Sequence, residues 1–235
     1  MSDEPAKGIV LIDKPVGWTS FDVVAKIRGK IRAEYTARGE KPTKKQLRVG
    51  HAGTLDPFAT ALLIVLLGDA CKRAGEFLKL DKVYEATIRL GQVSTTGDPE
   101  GEITESSKQK VVSSKQISET LKGFIGESEQ TPPMFSAIKI NGQRAYKLAR
   151  RGEVVEIPKR TVTIYSLELL DYSYPELRIR VHVSSGTYIR SLAIDIGAAL
   201  GTGAYCSELR RTKIADWSVV DARKLDDVEI ARLEK

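Results

Sequence analysis

Leu62-Leu63-Ile64-Val65-Leu66-Leu67 is the longest uninterrupted apolar run in the chain. Consecutive apolar side chains leave no polar face, so the segment is buried on both sides. It is a central strand or a short core segment; periodicity alone does not separate the two. The run is far short of the roughly 20 residues needed to span a bilayer. The fold is therefore built around it. The 235 residues suffice for one large domain or two small ones. With 41% hydrophobic and 29% charged residues, the balance is that of a globular chain rather than a disordered one.

The segment feeding this run is the densest in turn signals: Val49-Gly50-His51-Ala52-Gly53-Thr54-Leu55-Asp56-Pro57-Phe58-Ala59-Thr60. Its glycines and its Asp-Pro step predict a tight, defined loop. An Asp beside an apolar stretch is partly desolvated, and a working anion there needs a cationic partner. The candidate partner is Arg190, on the first turn of a helix that follows Ser184-Ser185-Gly186-Thr187-Tyr188. On residue types alone, a turn-forming Asp56 and an ordinary surface pair for Arg190 are favoured over a catalytic pair.

The other elements follow from period and punctuation. Gly8 to Asp13 reads as a buried strand stopped by Lys14-Pro15-Val16-Gly17. Ser20 is placed to cap a helix running to about Ile31, with Val23, Val24, Ile27 and Ile31 at helical spacing. Residues 33 to 48 read as a long basic loop, and Cys71 to Leu80 as a helix. Val83 to Leu90 alternates as a half-buried strand with Tyr84 on the inner face. A helix is expected over Ser113–Lys122, a strand over Phe124–Gln130 and a short basic helix over Gln143–Arg151. A hairpin around Tyr174-Pro175 joins strands Thr161–Tyr172 and Glu176–Val183. Thr187–Leu200 is a helix stopped by Gly201. Interleaved helices and hairpin-spaced strands predict an α+β fold with a mixed, mainly antiparallel sheet flanked by helices.

Charge is unevenly spread. The chain is +6 overall, and nine Lys or Arg against two acids lie between Lys26 and Arg48. A second basic stretch runs from Lys139 to Arg160. Solvated helix faces usually mix signs, so both stretches point to a phosphate backbone. The two cysteines, Cys71 and Cys206, make neither a disulfide framework nor a metal cluster, and are read as reduced thiols of a cytoplasmic protein. Met1 to Lys7 carries two acids and no apolar core, unlike a signal peptide. His51 and His182 have no partners at metal-ligand spacing. Phosphate-loop, nucleophile-elbow and dinucleotide fingerprints are absent from the sequence.

The run Gly50-His51-Ala52-Gly53-Thr54-Leu55-Asp56-Pro57 resembles the catalytic motif of the TruB-type tRNA pseudouridine synthases. Gly8 to Ser20 resembles the N-terminal motif of that family. Asp81-Lys82-Val83-Tyr84 with Arg89-Leu90-Gly91 and Thr96-Gly97-Asp98 resembles its tyrosine motif. Thr131 to Lys139 is similar to the start of its RNA-gripping thumb, and Gly186 to Leu192 and Leu209-Arg210-Arg211-Thr212 to its C-terminal catalytic motifs. These stand in family order from residue 8 to about 214, and they reverse the odds for Asp56.

The resemblance implies the pseudouridine-synthase fold and isomerisation of uridine 55 in the TΨC loop of tRNA. It implies Asp56 as nucleophile, Tyr84 stacked on the base and removing the C5 proton, and Arg190 paired with Asp56. His51 would hold the flipped-out loop, Tyr188 and Leu209 would complete the uridine pocket, and Lys14 and Pro15 would brace the catalytic loop. It implies no cofactor, no metal and no membrane, with the TΨC stem-loop as partner, no obligate protein partner and a monomer. Expected boundaries are a disordered tail over 1–7 and a catalytic domain over 8–220. That domain carries a basic insertion at 33–48 and a thumb at 131–152. A short helix or tail over 221–235 would stand where relatives continue into a PUA-like domain. Ala61 stands where the family commonly has Gly, which a backbone at negative φ would tolerate. Three other readings compete: a non-catalytic RNA-binding module, a synthase acting on another RNA, and a glycoside hydrolase pairing Asp56 with Asp98 or Asp195.

Overall fold

A computed structural model describes residues 8–107, 111–136, 138–140, 142–153 and 155–229. The expected tail at 1–7 lies outside the described residues, as do residues 230–235 and, within the thumb, Ala137 and Asn141. The chain begins with β1 (Gly8–Lys14), α1 (Ser20–Ala37), β2 (Val49–Ala52) and β3 (Thr60–Leu67). A 3-10 turn at Gly68–Arg73 leads to α2 (Ala74–Leu78). Then come β4 (Lys82–Leu90), β5 (Gln92–Ser94), β6 (Ile103–Glu105), α3 (Ser114–Lys122) and β7 (Gly126–Gln130). The thumb holds β8 (Lys139–Ile140), β9 (Gln143–Arg144) and α4 (Ala145–Arg150). It is followed by β10 (Arg160–Ser173), β11 (Glu176–Val183), α5 (Ile189–Leu200) and β12 (Ala204–Ile214). The described chain closes with β13 (Trp217–Ser218) and β14 (Arg223–Lys224). It forms two compact units, Met1–Lys82 with Arg210–Lys235, and Val83–Leu209.

In the first unit the apolar run is the strand β3. It pairs antiparallel with β1 from Gly8↔Leu67 to Lys14↔Ala61. Its other edge is shared by β2, antiparallel from Val49↔Leu67 to Ala52↔Ile64, and by the Arg210–Arg211 segment of β12, which is parallel to it. With both edges paired, Leu62 to Leu67 are fully buried. Leu62, Ile64 and Leu66 pack with Ala52, Phe77 and Ile214 on one face, and alternation turns Leu63, Val65 and Leu67 to the other. The segment 49–52, expected as loop, is a strand because an all-apolar central strand needs a hydrogen-bonding neighbour along its whole edge.

Two local expectations for α1 are corrected. Thr19, not Ser20, is the N-cap: its side chain accepts from the Asp22 N–H, and the Asp22 carboxylate accepts from the Thr19 N–H, a capping box. The helix also runs past Ile31 to Ala37, because Tyr35 continues the buried series Val23, Ile27, Ile31. The basic segment 33–48 is therefore part helix. The expected helix Cys71–Leu80 is split into a 3-10 turn and the short α2. Past Asp221, the described residues form a short strand and a 3-10 turn.

The second unit is a sheet in the order β12, β4, β11, β10, β7. The β10–β11 hairpin pairs from Ile164↔Val183 to Ser173↔Glu176, turning at Tyr174-Pro175 as expected, and β7 pairs antiparallel with β10. Helix α3 packs on β10 and α5. Ser113 caps α3 with a capping box, and α5 ends at Gly201, whose φ of 71° lies in the left-handed region. The strand pairs are mainly antiparallel with parallel exceptions at β1–β14 and β3–β12, an α+β fold. No helix among the described residues is long and apolar enough to cross a membrane.

Ala61 contradicts its expectation. Its φ is +79°, the left-handed region, and it is fully buried at the entry of β3, opposite Lys14 and Arg211. That backbone disfavours an L side chain by about 1–2 kcal/mol, more than glycine loses in chain entropy. Ala61→Gly is expected to raise stability by about 0.5–1 kcal/mol. Urea titration checks this: the midpoint should rise at unchanged m-value.

Candidate active site

In the first unit, the segment from Gly53 to Ala59 joins β2 to β3 and carries Asp56. Its conformation is fixed at every few residues by a side chain from elsewhere in the unit. Gly53 has φ +89°, and a Cβ there would meet Arg211 Nη1 at 3.4 Å. Leu55 is buried, and Ser20 holds both sides of it: the Leu55 N–H donates to Ser20 Oγ at 2.8 Å, and the hydroxyl donates to the Leu55 carbonyl at 3.3 Å. That contact explains why Ser20 is not the helix cap. The Asp56 carbonyl accepts from the Ala59 N–H at 3.1 Å, closing the turn, and its carboxyl group belongs to a half-buried residue.

Two fully buried cations bracket this loop. Lys14 has no exposed surface; its Nζ donates to the carbonyls of Pro15 at 3.0 Å, Trp18 at 2.6 Å and Pro57 at 3.2 Å. The Gly17 N–H also donates to Pro57, at 2.8 Å. Lys14 therefore ties the exposed Pro15 turn to the residue after Asp56. Arg211, 1% exposed, donates from Nε to the Leu62 carbonyl at 2.8 Å and from Nη2 to the Gly53 carbonyl at 3.0 Å. It thus clasps the loop at both ends. His51 lies on β2, opposite Val65, half-buried. Lys82 is a third buried cation of this unit; burial and the Arg211 charge push it down to about 8, and it donates to the carbonyls of Leu78 and Leu80.

The second unit carries Tyr84, Tyr188, Arg190 and Leu209. Tyr84 is buried on β4 and Leu209 on β12. Tyr188 is the residue before α5, and its backbone is gripped by one side chain. Gln130 Oε1 accepts from the Tyr188 N–H at 2.8 Å and Gln130 Nε2 donates to the Tyr188 carbonyl at 3.0 Å. Arg160 lies with its guanidinium carbon 5.4 Å from the Tyr188 ring centroid and donates to the Gly186 carbonyl. Arg190 is 2% exposed. Its Nη1 donates to Asp98 Oδ2 at 2.8 Å and to the Thr96 carbonyl at 3.0 Å, and its Nη2 to the Phe135 carbonyl at 2.7 Å.

Asp98 is equally buried and accepts two further bonds, from the Thr96 hydroxyl at 2.6 Å and the Glu100 N–H at 3.0 Å. Each of these partners donates to it, so the contacts of Asp98 are those of a structural partner that fixes Arg190. Asp195 lies on the exposed face of α5. The thumb presents Lys139, Arg144 and Lys147 to solvent while Ala145 and Leu148 are buried.

Sequence reasoning missed four residues that hold these groups in place: Ser20, Gln130, Arg211 and, in its structural role, Asp98. Arg211 carried one signal, its place in the Leu209-Arg210-Arg211-Thr212 run that resembles a catalytic motif of the family. Gln130 carried none.

The sequence matches the family model described as TruB family pseudouridylate synthase (N terminal domain) over residues 41–189. Residues 190–235 match that described as tRNA pseudouridylate synthase B C-terminal domain. A protein of Parabacteroides distasonis named tRNA pseudouridine synthase B is 46% identical over 208 residues, covering 88% of this chain and 86% of that protein. One of the same name from Thermobifida fusca is 43% identical over 231 residues, covering 95% of this chain and 74% of that protein. Among solved structures, a chain of a Cbf5-Nop10-Gar1 complex superposes with a TM-score of 0.70 at 31% identity. It covers 94% of this chain, which spans only 53% of the solved one. The family models together account for residues 41–235, the Gly53–Ala59 loop lies within them, and the chain belongs to the TruB family of pseudouridylate synthases.

Proposed function

We propose that the chain is a tRNA pseudouridine synthase that isomerises uridine 55 of the TΨC loop, with Asp56 as nucleophile. The observation that supports this is the loop Gly53–Ala59, which resembles the family's catalytic motif and which Lys14, Ser20 and Arg211 immobilise around Asp56. A nucleophile at a sugar or base carbon gains most from such fixing, because the reacting atoms must meet in one geometry.

The reaction breaks the C1′–N1 bond, turns the base and forms a C1′–C5 bond; C5 loses a proton and N1 gains one. Atoms balance within the nucleotide, and the chemistry calls for a nucleophile, a base and an enclosing pocket. Asp56 supplies the first, and the Lys14 ammonium on the adjacent Pro57 carbonyl brings positive charge beside it. Tyr84 stacks on the uracil, and its phenol oxygen takes the C5 proton as it passes its own hydroxyl proton on to solvent, so its charge is unchanged. Tyr188 and Leu209 wall the detached base. Arg190 contributes a guanidinium that Asp98 and two carbonyls orient. His51 supports the flipped-out loop, whose extraction costs a few kcal/mol that phosphate contacts and stacking offset.

Tritium release from a tRNA transcript labelled at uridine C5 tests the reading. Wild-type protein is expected to release about one equivalent per tRNA, and none from a transcript lacking the target uridine. Asp56→Asn should reduce release by roughly 10³-fold or more while tRNA affinity stays within about twofold. Retained release in that variant would remove Asp56 from the mechanism. Tyr84→Phe keeps the stacking ring and deletes the hydroxyl, so it should bind tRNA normally and lose release.

Arg190→Lys keeps the charge but cannot reach Asp98, Thr96 and Phe135 from one planar group. It should lower stability by about 2 kcal/mol and turnover by at least about tenfold. Thermal melts and the same tritium assay check both effects.

A further inference from the structure

The nine cations between Lys26 and Arg48 separate into two groups in the structure. Five hold the first unit together. Lys26 lies 3.7 Å from Asp226, and Lys30 donates to the carbonyls of Asp226 and Val228. Arg28 donates to the carbonyls of Leu47 and Val49, both at 3.2 Å. Arg38 pairs with Glu34 at 2.9 Å and Arg48 with Asp69 at 3.8 Å. Of the remaining four, Lys41, Lys44 and Lys45 sit on one short exposed segment, and none of the three takes part in an ion pair among the described residues. Their local acid, Asp69, is engaged by Lys72 at 3.0 Å as well as by Arg48.

This segment is built rather than slack. Helix α1 is closed by the Glu40 N–H donating to the Tyr35 carbonyl at 2.9 Å, with Gly39 at φ +74°. Gln46 Oε1 accepts from the Thr43 N–H at 2.6 Å and the Thr43 hydroxyl at 2.9 Å, and Thr43 Oγ1 accepts from the Gln46 N–H at 3.3 Å. The Leu47 N–H donates to the Thr43 carbonyl and the Arg48 N–H to that of Lys45. Arg28 pins the far end from the helix. Three exposed lysines are thus carried on one held turn, where Glu40 and Asp69 are the nearby acids and the cations outnumber them. The mutual repulsion of such a cluster is relieved when anions spaced along a polymer bind it. The next residues of the same unit are β2 with His51, then the Asp56 loop.

We propose that the Lys41–Lys45 turn is a phosphate-contacting surface for the tRNA substrate, one that grips the RNA backbone independently of its sequence. Lysine suits that task, being a point charge with rotatable donors rather than a planar reader of base edges. The inference rests on the synthase reading above and names a binding surface for it.

The test uses the whole chain and unmodified tRNA, with Kd measured across about 50 to 200 mM salt. The triple variant K41Q/K44Q/K45Q is expected to bind about tenfold or more weakly at the low-salt end. Its log Kd against log salt should be shallower by about two to three, near one for each phosphate that is no longer neutralised. The charge-keeping K41R/K44R/K45R should retain wild-type affinity and slope. Wild-type tritium release is recorded in parallel. A Gln variant with wild-type Kd and slope, beside a wild type that turns over tRNA, overturns the surface and leaves the synthase reading intact. Weakening of the Gln variant that is equal at every salt also overturns it, since the effect is then not electrostatic. A wild type that neither binds nor turns over tRNA overturns the synthase reading, and this inference with it.

Discussion

The first unit depends on a hydrogen-bond problem solved by two buried cations. The loop from Gly53 to Ala59 is too tightly turned to satisfy its carbonyls through a ladder, and it abuts a strand with no polar face. Unpartnered carbonyls there would each lose on the order of 1–3 kcal/mol. Lys14 and Arg211 reach them from β1 and β12, the strands that flank β3 on its two edges. Neither cation is tolerable buried without such acceptors, and the carbonyls are not tolerable without the cations. Loop shape and strand pairing are therefore one commitment. Arg210 adds to it, donating in two-pronged fashion to Asp13, the residue before Lys14.

The second unit fixes its own groups by the same device with different residues. Arg190 is not left to find its direction from the helix alone: Asp98 and two carbonyls determine the plane of its guanidinium. Tyr188 is not fixed by its ring but by Gln130 bonding its backbone on both sides, at the point where α5 begins without a side-chain cap of its own. In both units the groups with proposed chemistry are positioned by neighbours that do none, as preorganisation requires.

Much of this was legible in the sequence. The buried core segment at Leu62–Leu67, the hairpin at Tyr174-Pro175 and the helices near Ser20 and Ser113 follow from period and turn chemistry, and the family from the motifs the chain resembles. The misses have specific causes. Thr19-Ser20-Phe21-Asp22 offers two adjacent hydroxyls as caps; the acid three residues after Thr19 is the signal that decides between them. The extension of α1 was hidden by its polar residues, although Tyr35 keeps the four-residue spacing. The positive φ of Ala61 is signalled only by the glycine that the family commonly has there, since alanine itself gives no hint of it. Arg190 and Asp98 are 92 residues apart, and nothing along the chain states that they meet.

The same distinction governs how charge is to be read. A net charge of +6 and a basic window between Lys26 and Arg48 suggest a polyanion, but a count does not say which cations are available to it. Here burial and geometry assign Lys14, Arg28, Lys30, Lys82 and Arg211 to the backbone of their own unit, where each is as inward-looking as a capping residue. Those cations contribute to the composition and, with their donors engaged, little to recognition. Exposed cations on the Thr43 turn and the thumb are among those left over. Two chains of equal net charge can therefore differ widely in affinity for RNA, according to how many of their lysines and arginines are already occupied with carbonyls.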